Sequence, residues 1–416
     1  MKLLFVAATL PYPLLTGSAV ITSNHIKHLS RRHTVDLISF RNRKNPNSLG
    51  DLPRWCNNIE LVDRPPRWRV PLYLLAGMAR DPDPQISRLR SGKMAEVVGR
   101  RLANTRYDVV LFQTVQSAQF RPNWYQGPTV WSLEDPLALK TQRMLPMFSW
   151  YSRPLHRRWS DRLKSYDMKQ APRFGRVIFV NKDDADEYKR IVHEACTDWV
   201  PHGIDDETYC PSAEIARRDG MIVITGNMCH LPNIDAVEFF CRDVFPLVCE
   251  REPAANLWLV GSRPVERIKK WAKNPRIKVT GSVPDIRPYL QQARVSACPV
   301  RLKIGTQTKI LEALACATPV VTTSAGNHGI CASAGEHLYV ADDPVEFANR
   351  VVELLEGDRW RELSRNGRRF VEQNFTWSKS GLKLEQILEQ LTARSTGQFV
   401  PSESYANQTD CRNDRQ

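Results

Sequence analysis

The stretch from Val295 to Thr322, VSACPVRLKIGTQTKILEALACATPVVT, contains two short apolar runs that flank a helical pattern. The runs Val295 to Pro299 and Pro319 to Thr322 have the length and composition of buried parallel strands. Between them, Gly305 frees the backbone, and Thr306 suits the cap of a helix that we predict to start there. A strand, a helix and a second strand in this order form the repeating unit of a doubly wound parallel sheet.

The same alternation of apolar runs and helical patterns extends through the rest of the chain. In the second half it recurs at intervals of roughly 20 to 35 residues, and an amphipathic pattern covers Asn233 to Cys249. In the first half the intervening segments are longer and richer in Pro, Trp and Arg. The further predicted strands are Leu3 to Ala8, Val35 to Phe40, Asp108 to Gln113, Thr129 to Ser132, Val177 to Asn181, Met221 to Thr225, Asn256 to Val260, Ile277 to Thr280 and Leu338 to Val340.

A polar stretch at 203–218, with Pro201, Gly203 and Pro211, interrupts the pattern between the two halves. We therefore predict an α/β chain of two Rossmann-like, doubly wound domains that are joined at this stretch. The predicted divisions are an acceptor-side domain at 1–204, a donor domain at 205–377, a helix at 378–394 that crosses back to the first domain, and a disordered tail at 395–416.

The composition sets limits on the class of protein. With 416 residues the chain is long enough for about two domains, each with its own core. A hydrophobic content of 42% and 11 Trp residues exclude a mainly disordered protein. The net charge of +14 indicates an anionic partner, for which nucleic acid, an anionic membrane and a phosphorylated small molecule are the candidates.

The cysteines and the apolar segments bear on location. Ten cysteines without a C-x-x-C pair predict reduced thiols in a cytoplasmic protein. The apolar run at the N-terminus ends at Thr9 and Pro11, which is too short for a signal peptide. The longest uncharged stretch, Ala313 to Gly335, is broken by Pro319 and several polar residues, so we predict no span of a bilayer.

Ligands of parallel α/β sheets bind at the carboxyl ends of the strands, which directs attention to Lys309 and Glu312. The two residues are three apart and project from one face of the predicted helix. A cation beside a helix N-terminus suits a diphosphate, and a carboxylate one turn further can accept hydrogen bonds from two ribose hydroxyls. The alternative is an ordinary surface salt bridge between residues i and i+3.

These residues also carry a family resemblance. The run from Pro299 to Ala315, PVRxxxGTxxKILEALA, resembles the donor-site segment of family 4 glycosyltransferases, which are retaining enzymes of GT-B fold with two domains facing across a cleft. Supporting motifs follow the family's order. They are the hinge-like Val200-Pro201-His202-Gly203-Ile204-Asp205, the donor-domain opening with Gly226, Met228, Pro232, Asn233 and Asp235, and the base-holding loop with Gly281, Val283 and Asp285.

The resemblance implies a role for each matching residue. Lys309 would contact the donor diphosphate with Arg301 as a second cation, Glu312 would hold the ribose, and Val283 would contact the base through its backbone. Thr306 would line the phosphate or sugar, and Gly226 and Asn233 belong to the donor site. Gly17 stands in the family's glycine-rich loop after the first strand, where a mere turn is the alternative.

Three departures from the family pattern bear on catalysis. Ile304 stands eight residues before Glu312, where the family usually has a carboxylate that binds the donor sugar. The basic residues common after the first donor-domain strand are absent, and Gln113 replaces a frequent His. Asp135 remains as a candidate to orient an acceptor hydroxyl or take its proton, and a salt bridge with Lys140 or Arg143 is the alternative.

The positive charge is concentrated in the first half. The segment 140–173 has nine basic residues against two acids, interleaved with aromatic residues, and a second basic patch covers 64–80. Such patches suit an anionic membrane surface or an anionic acceptor glycan. A solvated helix face with its aromatic residues in the core is the alternative, and nucleic acid is disfavoured because no nucleic-acid motif accompanies the charge.

The sequence therefore predicts a retaining glycosyltransferase that moves a sugar from a nucleotide-diphosphate donor to a saccharide or lipid-linked acceptor, in polysaccharide or glycoconjugate biosynthesis. Catalysis would rest on electrostatic stabilisation of the leaving diphosphate, with Lys309 and Asp135 as the catalytic candidates and without a cofactor or metal. We expect it in the cytoplasm, peripherally at the inner face of the membrane. The alternatives are another GT-B enzyme, such as a sugar-nucleotide epimerase, and a non-catalytic sugar-nucleotide-binding or scaffold protein.

Overall fold

The computed structural model describes residues 1–14, 16–43, 45, 48–66 and 84–395. Its contacts divide the chain into two compact units, of which the first contains Met1–Pro201 and the helix that begins at Trp377, and the second contains His202–Thr376. Each unit has one parallel sheet, which confirms the predicted pair of doubly wound α/β domains. Residues 67–80 of the second basic patch and 396–416 of the predicted tail lie outside the described residues.

All neighbouring strands of both sheets are parallel. The sheet of the first unit has the order β3-β2-β1-β4-β5-β6-β7, and that of the second has the order β10-β9-β8-β11-β12-β13. The strands are β1 Lys2–Ala7, β2 Thr34–Phe40, β3 Asn58–Val62, β4 Val109–Gln113, β5 Thr129–Glu134, β6 Arg176–Phe179, β7 Thr197–Trp199, β8 Arg218–Thr225, β9 Asn256–Val260, β10 Ile277–Gly281, β11 Ala293–Cys298, β12 Val320–Thr322 and β13 Tyr339–Val340.

Helices connect most of these strands. The α-helices of the described residues are Gly17–Leu29, Leu52–Trp55, Pro84–Ser87, Gly92–Asn104, Leu137–Met144, Arg153–Gln170, Lys182–Ile191, Leu231–Phe239, Phe245–Arg251, Glu266–Lys269, Arg287–Gln292, Thr308–Ala315, Ser324–Asn327, Pro344–Glu356, Arg359–Asn374 and Trp377–Ser395.

The first strand illustrates why these apolar runs form parallel sheets. Leu4 and Val6 of β1 belong to one buried cluster, and Leu3, Phe5 and Ala7 belong to another. Successive side chains of a strand point to opposite faces, so both faces of this strand are covered. A strand that is buried on both faces has a continuous apolar sequence instead of an alternating one, as observed here.

The strand order also fixes where each sheet can bind a ligand. In the first sheet the connections run outward in opposite directions from β1 and β4, and in the second from β8 and β11. The carboxyl ends of two such neighbouring strands leave a crevice, which is the usual binding position in open α/β sheets. The residues that follow β1, β4, β8 and β11 are therefore the ones that the fold places at candidate sites.

The C-terminal helix Trp377–Ser395 packs against the first unit. Leu384 and Leu388 lie in its buried core, and the Ser380 hydroxyl lies 3.0 Å from Nε2 of His25. Nε2 of His33 lies 2.8 Å from the carboxylate of Glu385, which is itself buried. The helix is therefore tied to the first unit by both apolar contacts and polar side chains.

The polar stretch after Pro201 packs on the second unit. The backbone N–H of Ile204 donates to the carbonyl of Phe375 at 2.6 Å. The guanidinium of Arg368 donates to the carbonyls of Tyr209 and Asp206 at 2.6 and 2.9 Å. The stretch is thus held by backbone hydrogen bonds and by one arginine, although its sequence lacks regular periodicity.

Candidate functional site

The loop and helix after β11 form one side of the crevice in the second unit. The helix begins at Thr308, with Gln307 at its N-cap, and not at Thr306 as the sequence predicted. The Gln307 side chain does not cap the helix and donates instead to the carbonyl of Ile304 at 2.9 Å. Gly305 has a φ of 52°, a left-handed conformation that glycine adopts without steric cost. The turn at Gly305 and its partner Ile304 therefore postpone the helix by two residues.

The Thr306 hydroxyl is left in this loop. Its oxygen is enclosed and has no hydrogen-bond partner among the described residues. A buried hydroxyl without a partner loses free energy, because water no longer solvates it. The position of this hydroxyl next to the Lys309 helix marks it as a group that a bound ligand can satisfy.

Lys309 is held in place by a chain of two asparagines. Its Nζ donates to Oδ1 of Asn233 at 2.6 Å, and Nδ2 of Asn233 donates to the carbonyl of Asn227 at 2.9 Å. In the described part of the chain, no carboxylate oxygen lies within 4 Å of Nζ of Lys309. The ammonium is therefore positioned by a neutral amide, and its charge is not neutralised by an ion pair.

Gly226 follows β8 and lies beneath this lysine. A Cβ at Gly226 would lie 3.0 Å from Nδ2 of Asn233 and 3.5 Å from Nζ of Lys309, and its φ of 148° is strained for other residues. Gly261, after β9, packs so closely that a Cβ there would lie 1.7 Å from the Gly226 carbonyl oxygen. The two glycines let three backbone segments meet at the crevice beside the ammonium.

Glu312 lies one turn along the helix from Lys309 and is half-buried. Burial raises the pKa of its carboxyl to about 7, although the nearby Lys309 charge acts in the opposite direction. The same carboxylate, together with burial as the larger cause, raises the pKa of the Tyr209 phenol. Lys309 and Glu312 are therefore electrostatic neighbours without a hydrogen-bonded salt bridge, which excludes the simple surface pair that the sequence left open. Sequence reasoning missed Tyr209.

The two remaining candidates of the second unit lie differently. The Arg301 guanidinium forms a two-point ion pair with Asp235, one of whose hydrogen bonds measures 2.9 Å, and lies 5.0 Å from the centre of the Phe239 ring. Its described contacts thus do not include the Lys309 group. Val283 is half-buried against the apolar core of the second unit.

In the first unit, Gly17 is the first residue of the helix that follows β1. The Thr16 hydroxyl caps this helix by accepting from the backbone N–H of Ala19 at 3.2 Å. A Cβ at Gly17 would meet no atom within 4 Å, and its φ is not in the left-handed region. The fold itself therefore does not require glycine here, which separates Gly17 from Gly226.

Asp135 adopts the alternative that the sequence left open. Its carboxylate accepts from Nζ of Lys140 at 2.9 Å, and both side chains are partly exposed. A carboxylate that is held in a surface ion pair has little reason to act as the acceptor-side group. The structure therefore favours its neighbour, Glu134.

Glu134 ends β5 with a φ of 64°, a left-handed conformation that costs a non-glycine residue about 1–3 kcal/mol. The Ser18 hydroxyl lies within hydrogen-bonding reach of its carboxyl, and burial, as the main cause, raises the pKa of that carboxyl to about 8. Oxygen Oε1 is enclosed without a partner among the described residues. Sequence reasoning noted this acidic pair and selected the wrong member, since a strained backbone leaves no mark in the sequence.

Two further groups lie at the carboxyl end of β4. Oε1 of Gln113 accepts from the Thr22 hydroxyl at 3.5 Å, while Nε2 of Gln113 is enclosed and has no partner among the described residues. Thr114 has a φ of 72° and an enclosed hydroxyl that is likewise without a partner in the described chain. Orphaned polar atoms and left-handed residues thus gather at the ends of β4 and β5, as they do at functional sites.

Comparisons with known proteins agree with this geometry. Residues 219–357 match the family model described as "Glycosyl transferases group 1", which covers β8 to the end of the helix Pro344–Glu356 and includes Gly226, Lys309 and Glu312. The chain is also 22% identical, over 215 residues, to an uncharacterized 44.6 kDa protein in the cps region of Klebsiella pneumoniae. That match covers 50% of this chain and about half of the relative, 54% of its length.

Solved structures resemble the chain over nearly all of its length. Sucrose-phosphate synthase from Thermosynechococcus elongatus superposes with a TM-score of 0.71 at 18% identity, covering 95% of this chain and 100% of that one. Anabaena HepE, solved in complex with UDP and glucose, superposes with a TM-score of 0.64 at 15% identity, covering 94% and 99%. The chain therefore has the GT-B fold, with a group 1 glycosyltransferase match in its second unit.

Proposed function

We propose that the protein is a retaining glycosyltransferase that transfers a sugar from a nucleotide-diphosphate sugar to an acceptor hydroxyl. One observation carries the proposal: Lys309 stands at the crevice of the second sheet, fixed by the Asn233 amide and not neutralised by a carboxylate. An ammonium in this state is suited to a diphosphate. The group 1 match over 219–357, and a fold shared with a protein that was solved with bound UDP, support this function.

The chemistry follows from charge development at the leaving group. When the bond between the anomeric carbon and the phosphate oxygen breaks, the bonding electrons go to the diphosphate, and Lys309 and the adjacent helix N-terminus stabilise the added charge. The acceptor oxygen then bonds to the anomeric carbon on the same face, and its proton passes to the departing phosphate oxygen. This step needs neither a protein nucleophile nor a metal, so we expect a chelator to leave turnover unchanged.

In the donor site, Glu312 would accept hydrogen bonds from the ribose hydroxyls and Val283 would contact the base. Thr306, with its unpartnered hydroxyl, would donate to the phosphate or sugar. Arg301 would serve as the second cation only after exchanging its Asp235 partner for the diphosphate. Gly226 and Asn233 would keep the Lys309 ammonium in position.

On the acceptor side, Glu134 replaces Asp135 as the proposed residue. Its enclosed, unpartnered oxygen is available to accept the hydrogen bond of an incoming hydroxyl, whereas the Asp135 oxygen is paired with Lys140. Gly17, whose open side has no atom within 4 Å, would let the ligand approach the backbone next to Ser18. Glu134 would thus be a positioning group for the nucleophile.

The acceptor class is the least constrained part of the proposal. Trp150 and Tyr151 are 80% and 72% exposed in the basic segment 140–173, which supports contact with an anionic membrane and a lipid-linked acceptor at its cytoplasmic face. No helix among the described residues is long and apolar enough to cross a membrane. The Klebsiella relative from a cps region supports a role in polysaccharide biosynthesis.

The release of nucleoside diphosphate tests the activity. The protein is incubated with a panel of nucleotide sugars, and product is measured by mass spectrometry for the wild type, Lys309→Ala and Lys273→Ala, in which an exposed lysine of the same unit is removed. We expect Lys309→Ala to reduce release by about 10²- to 10³-fold and Lys273→Ala to retain it. Tight donor binding without release in the wild type would favour a non-catalytic binding protein instead.

A further inference from the structure

The first unit contains a cavity apart from the ends of β4 and β5. It has a volume of about 560 Å³ and lies between the helix Gly92–Asn104, the turn Val115–Phe120 and the end of the helix Arg153–Gln170. Neither Gln113 nor Glu134 is among its lining residues. A volume of this size is typical of sites for small molecules, so the charges of its wall determine what it would hold.

The wall is basic. Arg90, Arg121 and Arg173 line the cavity, and no Asp or Glu is among its lining residues. Burial is the main cause that lowers the pKa of Arg121, and the Arg173 charge adds to this effect. Burial is also the main cause that lowers the pKa of Arg173. Two half-buried guanidiniums that disfavour each other are costly unless an anion lies between them.

The hydrogen bonds of these two arginines leave that demand unmet. One guanidinium nitrogen of Arg173 donates to the carbonyl of Arg121 at 2.8 Å and to Oδ1 of Asn123 at 2.9 Å, and Arg121 donates to the carbonyl of Tyr125 at 2.8 Å. All of these acceptors are neutral. Nε of Arg121 is enclosed and has no hydrogen-bond partner among the described residues. The neutral contacts fix the position of the two charges without compensating them.

The rim adds an aromatic surface. Trp124 lines the cavity and is 56% exposed, an unusual state for a side chain of its size. Its ring packs edge-on against the Tyr125 ring at 6.1 Å, which leaves a face open. A sugar ring presents apolar C–H groups to such a face, while Gln119 and Ser91 in the wall provide partners for its hydroxyls.

We propose that this cavity binds an acidic saccharide unit, with its carboxylate, sulfate or phosphate group at Arg121 and Arg173 and its ring against Trp124. The exposed pair Trp150 and Tyr151 lies outside the cavity lining, so the site is distinct from the proposed membrane surface. That the saccharide is part of the acceptor chain rests on the proposed function. The binding of an acidic saccharide does not depend on it.

Gly99 offers a test that avoids the structural arginines. It lines the cavity, and a Cβ there would meet no atom within 4 Å. Replacing a helical glycine also favours the helix, so the variants should fold. Gly99→Glu places a negative charge at the site, Gly99→Gln places a neutral side chain of the same size there, and Gly99→Ala adds only the Cβ.

Binding of a galacturonate tetrasaccharide and of neutral maltotetraose is measured by calorimetry on the full chain, with thermal unfolding as the check on folding. We expect the wild type and Gly99→Ala to bind the acidic probe and not the neutral one. Gly99→Glu should weaken that binding by at least about tenfold more than Gly99→Gln, and Trp124→Ala should weaken it by about tenfold.

Three results would overturn the inference: equal binding of the acidic and neutral probes, equal binding by the Glu and Gln variants, and binding of anionic vesicles but not of the tetrasaccharide. The assay contains no nucleotide sugar. A wild type that binds the acidic probe but releases no nucleoside diphosphate therefore contradicts the proposed function alone, and the reverse outcome contradicts the saccharide site alone.

Discussion

The two units of the chain reach the same kind of crevice by opposite backbone devices. In the second unit the segments that meet beside Lys309 have positive φ at glycines, namely Gly226, Gly261 and Gly305. In the first unit the corresponding strand ends have positive φ at Thr114 and Glu134, which carry side chains. The second unit thus removes side chains so that backbones approach, whereas the first uses a strained backbone to present a side chain.

The glycine device predicts the largest effect. In Gly261→Ala the new Cβ would lie 1.7 Å from the Gly226 carbonyl oxygen, so the crevice has to open or the unit has to lose stability. We expect the free energy of unfolding to fall by about 3 kcal/mol or more in urea denaturation. Gly17→Ala is the matched control from the first unit and should not lose stability, because its Cβ meets no atom. An unchanged Gly261→Ala protein would remove the close approach from the argument.

The strained-backbone device predicts a loss of turnover at Glu134. Glu134→Gln keeps the size of the side chain but removes its charge, and we expect kcat/KM to fall by about 10²-fold. Burial raises the pKa of the carboxyl to about 8, so the wild-type rate should rise as the pH increases through about 8 and the carboxylate forms. Steady-state kinetics between pH 6 and 9 checks both effects.

Asp135→Asn serves as the control for that experiment. Its carboxylate is paired with Lys140 at the surface, so the variant should keep the rate and the rise near pH 8. The assignment would be reversed if Asp135→Asn lost the rise and Glu134→Gln retained it.

Glu312 predicts a smaller effect with the same pH logic. Burial raises the pKa of its carboxyl to about 7, so the carboxylate that would accept from the ribose is lost as the pH falls below 7. We expect the affinity for a nucleoside diphosphate, measured by calorimetry, to fall between pH 8 and 6. Glu312→Gln should bind about tenfold more weakly at pH 8 and lose most of this dependence. Unchanged affinity would remove Glu312 from the donor site.

The smallest effect isolates the backbone of Glu134. Glu134→Ala and Glu134→Gly remove the same carboxyl, but only glycine relieves the left-handed conformation with a φ of 64°. The glycine variant should therefore be more stable than the alanine variant by about 1 kcal/mol in thermal or urea unfolding. An alanine variant of equal or greater stability would show that the conformation is not strained.

Much of the fold could be predicted because parallel strands that are buried on both faces leave continuous apolar runs, as β1 does. Local spacing likewise predicted Lys309 and Glu312 on one helical face. The partners that define the charge state could not be predicted, since Asn233 lies 76 positions from Lys309 and Asp235 lies 66 from Arg301. The strain at Glu134 and the basic cavity arise only when distant segments pack together.

The path of the chain between the units has a practical consequence for the gene. Because the helix Trp377–Ser395 packs in the first unit, the second unit is an insertion within a discontinuous partner. Its two ends meet at the backbone bridge between Ile204 and Thr376. Residues 202–376 can thus be cloned as one uninterrupted fragment, whereas the other unit requires a designed splice that joins Pro201 to Trp377.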